Sequence, residues 1–315
     1  MKPQHSFFFL RYVTFYTTVS LEIPTQFIII LKFLVLTGNL SFATITVKLG
    51  GDVEFRKVTS LLRLTLDQLW IHYRGKFAMN QGEIFSSFSW IHSQGHLNLD
   101  EGGHVAEKGK GAGSSSMHAG SGAGHGGQGG SDGGAPYGSV YKPLQLGSGG
   151  GNGDGIGGNG GGQIMWIVAK RLELNGLISA RGKNSSGGNA GGGSGGSIYI
   201  QTTNMTGHGE ISVQGGAGSG RGGGGSGGRV AIHCRWRYTF GGKFTDRGGE
   251  GSSATYGAPA GTIYKEENLR PLQYRHLKYS KTTNSTYLAV DHTYIHVDNQ
   301  GKKRYHHYYQ YLYYL

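Results

Sequence analysis

Residues 162–168 read Gly162-Gln163-Ile164-Met165-Trp166-Ile167-Val168, a glycine followed by apolar side chains at every second position. The same pattern returns three times, as Gly196-Ser197-Ile198-Tyr199-Ile200, Gly228-Arg229-Val230-Ala231-Ile232 and Gly261-Thr262-Ile263-Tyr264, so the leading glycines are almost evenly spaced. Alternation places every second side chain on one face, which is the pattern of a half-buried β-strand. The stretch therefore predicts a strand in each repeat of about 33 residues.

A second series of the same period lies between these strands. It comprises Gly176-Leu177-Ile178-Ser179-Ala180, Gly209-Glu210-Ile211-Ser212-Val213 and Gly242-Lys243-Phe244-Thr245-Asp246, again evenly spaced. Two interleaved series predict two strands per repeat. Short strands at a fixed period indicate an all-β fold of the parallel β-helix or β-solenoid type. In such a fold each rung buries its inward side chains against the next rung.

The pattern extends upstream with less glycine. Gly75-Lys76-Phe77-Ala78-Met79 and Gly95-His96-Leu97-Asn98-Leu99 stand twenty residues apart, and apolar side chains alternate from Leu62 to Leu66. These features predict leading β rungs with short loops over residues 44–101. Residues 102–301 are then the glycine-rich solenoid, with repeats of about 33 residues.

Glycine is concentrated between the predicted strands. Only seven of the 61 glycines lie outside residues 102–262. The runs occupy 102–134, 147–162, 187–196 and 216–228. Because glycine permits close approach of backbones, we expect long loops that pack on themselves, for example as stacked polyproline-II-like segments. A flexible linker is the alternative.

The two ends differ from the repeats. Residues 1–43 include the apolar run 27–36, which is short for a bilayer span and contains Lys32. We interpret residues 1–43 as an apolar segment that holds a signal or an anchor, with buried strands as the alternative. N-x-[ST] sequons at Asn39, Asn184, Asn204 and Asn284 fit a secreted chain. The basic, tyrosine-rich tail 302–315 is predicted to be disordered.

The charge of the chain indicates a solvated basic surface. The formal net charge is +12, but the lysines and arginines are scattered and no nucleic-acid-binding motif accompanies them. We therefore expect no nucleic-acid partner. The single cysteine, Cys234, excludes an internal disulfide framework and a cysteine-based metal site.

Few side chains in the middle of the chain suit catalysis. A polysaccharide-active enzyme on a β-helix would need paired carboxylates on one face. The carboxylates available there are Asp132, Asp154, Glu173, Glu210, Asp246 and Glu250. Glu210 and Asp246 stand at different offsets from their leading glycines, so we expect solvated loop or turn residues that do not stack.

No metal or cofactor site is predicted either. Gly150–Ile156 approaches a calcium-binding nonapeptide, but Asp154 falls one position early and the unit does not recur in tandem. Histidines in the glycine runs and near the C-terminus lack metal-ligand spacing, and we expect the loop histidines to be solvent-exposed; they are His104, His118, His125, His306 and His307. Cys234 and His233 are neighbours on a predicted strand and face opposite ways, which disfavours a Cys–His nucleophile. The sequence thus predicts no catalytic, cofactor-binding or metal-binding residue.

Several glycine-rich sequence motifs resemble those of a known group of proteins. They include Ala135-Pro136-Tyr137-Gly138-Ser139, Gly193-Ser194-Gly195-Gly196-Ser197-Ile198, Gly225-Ser226-Gly227-Gly228-Arg229-Val230-Ala231-Ile232 and Ala260-Gly261-Thr262-Ile263-Tyr264. Over residues 44–301 the chain resembles the glycine-rich β-repeat region of large, mostly uncharacterised surface or secreted proteins of plants, marine invertebrates and bacteria. The resemblance implies extracellular or membrane-attached placement and a repetitive β architecture, and it supplies no catalytic residues.

These observations predict a non-catalytic structural or adhesive repeat protein, extracellular or at the cell surface. Glycans or extracellular matrix components are the expected partners, together with self-association at open solenoid ends. The alternative is a glycan-binding module that uses a basic, aromatic face of the solenoid. A polysaccharide-active β-helix enzyme ranks third.

Overall fold

A computed structural model describes residues 20–23, 28–30, 39–55, 61–116, 119–251 and 256–267, and the strands 277–280, 285–288, 293–299 and 302–307. Every regular element among these residues is a β-strand, so the predicted all-β class is confirmed. None of the described residues forms a helix long and apolar enough to cross a membrane.

Nineteen strands are described, and the first fifteen alternate between two sheets. The long sheet contains β1 (Ser20–Ile23), β3 (Asn39–Val47), β5 (Leu62–Ile71), β7 (Gln81–Ile91), β9 (Gln163–Leu174), β11 (Ser197–Gly207), β13 (Arg229–Phe240) and β15 (Thr262–Glu267). The short sheet contains β2 (Ile28–Ile30), β4 (Asp52–Phe55), β6 (Lys76–Met79), β8 (His96–Asn98), β10 (Leu177–Ser179), β12 (Glu210–Ser212) and β14 (Lys243–Thr245). Each repeat therefore contributes one long and one short strand.

The four remaining strands follow β15 and pair antiparallel. They are β16 (Leu277–Ser280), β17 (Ser285–Leu288), β18 (Thr293–Asn299) and β19 (Lys302–His307). β18 extends the long sheet beyond β15, and β19 pairs with β18. β19 lies within the basic tail for which the sequence predicts disorder, and residues 308–315 lie outside the described residues. At the other end β1, β2 and part of β3 fall within the predicted signal or anchor segment.

All pairs within the first fifteen strands are parallel, and their register reproduces the sequence period. Ile178 of β10 stands between Leu97 and Ile211, and Ile198 of β11 stands between Ile164 and Val230. In residues 44–101 the number of residues between paired positions of successive long strands is smaller, since Ile71 of β5 pairs with Ile91 of β7. The two predicted strand series are thus confirmed.

The space between the sheets is one apolar core. Ile84, Trp166, Ile200 and Ile232 form a single row across β7, β9, β11 and β13, and each is fully buried. Burying an aliphatic side chain of this size stabilises a fold by about 1.5–3 kcal/mol. The row crosses directly from β7 to β9, although residues 92–162 intervene in the sequence.

The glycine segments beside the sheets form no strands, yet their amides are hydrogen-bonded in a regular order. We call these segments the glycine bundle; they are residues 120–134, 147–162, 180–196 and 213–228. From 191 to 196, the amides of 191 and 194 donate to Gly151 and Ser148, those of 192 and 195 to Gly223 and Ser226, and those of 193 and 196 to Lys183 and Ala180. Neighbouring segments are thus contacted in rotation, every third residue. Three residues per turn is the repeat of a polyproline II helix.

Glycine is required at these contacts because carbonyl oxygens occupy the space a side chain would need. A Cβ on Gly192 would lie 1.9 Å from the carbonyl oxygen of Gly216, and one on Gly225 would lie 2.0 Å from that of Gly193. The Cα–H bonds therefore point at carbonyl oxygens, as in weak Cα–H···O hydrogen bonds. Residues 190–196 and 222–228 are buried throughout, so the predicted ordered loops are confirmed there.

Candidate ligand surface on the long sheet

Two strands of the long sheet, β9 and β13, each carry an extra residue opposite the same position of β11, the strand between them. Opposite the Thr202–Asn204 step of β11, β9 runs from 168 to 171 and β13 runs from 234 to 237. A β-bulge of this kind locally disrupts the ladder and re-aims side chains. Here it brings charged and aromatic side chains onto the outer face of the sheet.

The side chains at the two bulges form an exposed surface, which we call the bulge patch. Its members are Lys170, Arg171, Arg235, Trp236 and Arg237, all of them exposed. Trp236 is 73% exposed, more than any other large apolar side chain among the described residues. Next to the patch, the Nζ of Lys170 lies 5.0 Å from the ring centroid of Phe88, which places that ring beneath a cation.

Side chains of β11 hold the bulge of β9 in place. The hydroxyl of Thr203 donates to the carbonyl of Ala169 at 2.7 Å, and the side-chain amide of Asn204 donates to the carbonyl of Lys170 at 3.2 Å. These are the two carbonyls within the irregular step. The bulge is therefore a fixed conformation, which reduces the cost of ordering its side chains on binding.

The only cysteine performs the corresponding role in β13. The Cys234 thiol lies 3.3 Å from the carbonyl of Arg237 and 3.4 Å from that of Thr203, within reach of both as a weak donor. Burial raises the pKa of this thiol. Cys234 thus stays protonated and bridges the bulge to β11, while Trp236 and its flanking arginines point to solvent.

The patch carries a net positive charge. Arg171 is paired with Glu173, with Nη2 and Oε2 2.8 Å apart. Within the described part of the chain, Lys170, Arg235 and Arg237 take part in no ion pair. Because adjacent strands are about 4.8 Å apart, β9 and β13, which carry these cations, lie about 10 Å apart on either side of β11.

A second aromatic cluster occupies the corner where the leading long strands end. The rings of Trp70 and Trp90 meet edge to face at 5.1 Å, and His92 meets Trp90 at the same distance. A groove of about 340 Å³ lies beside them, lined by Lys48, Leu49, His72, Tyr73 and His92. Since these rings cover one another, they leave less open ring surface than Trp236 does.

A buried polar cluster joins the glycine bundle to the long sheet. His125 is fully buried, its Nδ1 lies 2.7 Å from the carbonyl oxygen of Gly195, and its ring stacks on Tyr137 at 4.5 Å. Arg229 donates through Nε to the carbonyl of Tyr137 at 2.8 Å and through Nη2 to that of His125 at 3.2 Å. The Oγ of Ser226 accepts the backbone amide of His125. Every group in this cluster is bonded within the protein, as a structural role requires.

Burial dominates the titration of this cluster. It lowers the pKa of His125 to about 4 and raises the pKa of Tyr137 to about 12. Burial also lowers the pKa of Arg229. The expectation that loop histidines are exposed is therefore wrong for His125, because the glycine bundle closes around it. His104 is half-buried, and its pKa is lowered by burial.

The carboxylates considered as catalytic candidates differ in their burial and in their partners. Asp132, Asp154 and Glu250 are exposed, as expected for loop residues. Asp246, in contrast, is only 2% exposed, so its predicted solvation is wrong. Register places Lys243 beside Glu210, and the Oε1 of Glu210 accepts a hydrogen bond from Thr245 at 2.8 Å.

The remaining candidates are placed as follows. Asp154 accepts a hydrogen bond from Asn189, and the described residues contain no group of three or more His, Cys, Asp and Glu side chains arranged to hold a metal ion. His233 lies on the outer face with its Nδ1 2.8 Å from Glu266, opposite the buried Cys234, as alternation predicts. His118 and the side chains of His306 and His307 lie outside the described residues.

The bulge patch was not anticipated from sequence, although a signal for it exists. Arg171 follows the leading Gly162 by nine residues, and Arg237 follows Gly228 by the same nine. In each of these repeats the apolar alternation ends in a charged stretch that contains the arginine. The two stretches are Lys170-Arg171 and Arg235-Trp236-Arg237. A break at the same offset in two repeats indicates a repeated irregularity in strand geometry.

No family model, no curated protein and no solved structure matches the chain.

Proposed function

We propose that the chain is a parallel β-solenoid that acts as a structural or adhesive element, extracellular or at the cell surface, and that it has no catalytic role. The observation that carries this proposal is the glycine bundle, in which backbones of successive repeats contact each other directly at the glycines. Such packing gives rigidity, which suits a structural role.

The mechanical argument follows from how the repeats are joined. Neighbouring repeats share backbone ladders in the long sheet and in the short sheet, and amides of the bundle bond the same repeats a third time. Pulling two repeats apart would break all three sets together. A protein built in this way resists extension, which suits a spacer or a matrix element.

A stability experiment on glycine variants tests the proposal. Gly225→Ala would set a methyl group against the carbonyl of Gly193, and overpacking of this kind costs about 2 kcal/mol. Gly241→Ala is the matched control, because only the exposed His208 ring lies near its Cβ position. Far-UV circular dichroism and denaturant unfolding of the full chain would measure both.

We expect a β-type spectrum, one cooperative transition, and a lower midpoint for Gly225→Ala alone. A coil-like spectrum without a transition, or equal behaviour of the two variants, would leave a flexible glycine-rich segment as the better account. Single-molecule extension of the same chain would then show no force peak.

The second candidate function is glycan binding through a basic, aromatic face of the solenoid. The specific observation in its favour is the bulge patch, where Trp236 stands open between two arginines. Open aromatic rings flanked by polar groups are typical of surfaces that recognise ligands.

A further inference from the structure

We propose that the bulge patch binds an anionic polysaccharide, a chain of sugar rings bearing carboxylate or sulfate groups, laid across β9, β11 and β13. This proposal rests on the second candidate function, glycan binding, and names its ligand class and its residues. It does not depend on the mechanical role.

The arrangement of charge favours a polymer over a small ion. Cations project from two strands about 10 Å apart, with the uncharged side chains of β11 between these strands. A single small anion would use only part of this charged surface. An extended chain with repeated negative groups can reach the cations of both strands, and each arginine can bind a carboxylate or a sulfate through two parallel hydrogen bonds.

The geometry of Trp236 favours sugar rings as the units of that polymer. Its side chain is 73% exposed and flanked in sequence by Arg235 and Arg237, so a ring stacked on the indole would hold its acidic group within reach of a guanidinium. The indole supplies a flat apolar face for the C–H groups of a sugar.

Two other anionic partners fit less well. Single-stranded nucleic acids stack successive bases on successive open aromatic rings, and here Trp236 is open while Lys170 lies over the Phe88 ring, which is 40% exposed. Insertion into a lipid surface needs a broad apolar face, and the neighbours of Trp236 are charged. The patch is also held rigid by the hydrogen bonds of Thr203, Asn204 and Cys234.

Binding of the full chain to polygalacturonate, dextran sulfate and neutral dextran tests the proposal, by isothermal titration at low and at physiological salt. We expect binding to one or both anionic polymers, weakening with salt, and none to neutral dextran. The two anionic probes distinguish carboxylate from sulfate recognition.

Variants locate the site. Trp236→Ala and Arg235→Ser/Arg237→Ser should each weaken binding about tenfold, and Trp236→Phe should restore most of it. Arg221→Ser/Arg247→Ser is the charge-matched control, since it removes two exposed arginines of the glycine-rich part and should bind like the parent chain. Circular dichroism of each variant confirms that it is folded.

Three results would overturn the proposal. They are equal losses in the patch variants and the charge-matched control, no binding of the folded parent chain to either anionic polymer, and tighter binding to a single-stranded oligonucleotide or to anionic vesicles through the same residues. A folded, cooperative chain that binds no polysaccharide would leave the structural function standing, so the two failures are distinguishable.

Discussion

His125 lies where the glycine bundle meets the long sheet, and no solvent reaches its ring. Between Gly124 and Gly126 its backbone can approach its neighbours closely, and its side chain is enclosed by the bundle and the long sheet. The ring donates to Gly195 and is stacked on Tyr137, while the Arg229 guanidinium spans the carbonyls of both aromatic residues. A neutral imidazole suits this place, because a proton on Nε2 would add a buried charge close to Arg229.

This arrangement makes the stability of the protein depend on pH. In the unfolded chain the ring takes up a proton near pH 6.5, whereas burial lowers the pKa in the folded chain and keeps the ring neutral until about pH 4. The unfolded state therefore gains protons first, and stability falls by on the order of 3 kcal/mol as pH decreases from 6.5 to 4. Urea unfolding at pH 7.0, 5.5 and 4.0 would measure this loss.

Replacing the ring isolates its contribution. His125→Asn keeps a donor near the position of Nδ1 and does not titrate in this range, so its pH dependence between 6.5 and 4 should be shallower by that amount. His208→Asn, at an exposed site, should retain the slope of the parent chain. If both variants retained it, another group would be responsible for the acid sensitivity.

At the scale of elements, the glycine segments behave as secondary structure without belonging to a sheet. In segments 191–196 and 222–228 each amide has a backbone acceptor, and in 191–196 the contacted segments recur every third residue. Their order comes from neighbours on several sides, as it does for the central strand of a sheet. The exposed turns that precede these two segments, residues 186–188 and 220–221, lack such enclosure.

Hydrogen exchange distinguishes this element from a loop. Amides of 191–196 and 222–228 should exchange as slowly as those of β11, because opening any one of them requires separation of packed backbones. Peptides covering the exposed turns should exchange within seconds and serve as the internal reference. Fast exchange throughout 180–228 outside the strands would show that the glycine bundle does not persist in solution.

The sequence predicts elements where a period exists and fails where it does not. Alternation after the leading glycines predicts β9, β11, β13 and β15, and the motifs Gly75–Met79 and Gly95–Leu99 predict β6 and β8. The path of residues 102–162 could not be predicted, because that segment occurs once and the order of its glycines does not indicate which other segments they contact. The amide of Gly126, for example, donates to Gly227, a contact that only the assembled bundle creates.

The candidate site was missed for a related reason. A one-residue bulge leaves the repeat length almost unchanged, so it is hidden in the slightly uneven spacing of Gly162, Gly196 and Gly228. Scattered lysines and arginines in the sequence become a patch only when β9 and β13 stand on either side of β11.

At the scale of the whole molecule, the step between repeats lengthens from the leading part to the glycine-rich part without a break in either sheet. β7 pairs with β9 from Gln81 to Ile91, and β8 pairs with β10, so the two parts share both ladders and one apolar core. Repeats coupled this strongly should unfold together.

A distant reporter tests that coupling. Ile84→Ala in β7 should cost about 2–5 kcal/mol, since it removes fully buried methyl groups beside Trp166. Cys234 is buried three strands away along the same sheet and is the only thiol in the chain. Its labelling during denaturation should shift to lower denaturant in step with tryptophan fluorescence. A shift of fluorescence with unchanged thiol labelling would mean that the two parts unfold separately.

The glycine bundle has a consequence for how the protein responds to temperature. The heat capacity change of unfolding rises with the apolar surface that unfolding exposes, and it falls with the polar surface. At the glycines of the bundle the contacts are between backbone atoms, so unfolding exposes amide surface there in place of hydrocarbon. The glycine-rich part should therefore lower the heat capacity increment per residue and flatten the stability curve, so that cooling weakens this protein less than it weakens one held together by leucine and isoleucine alone.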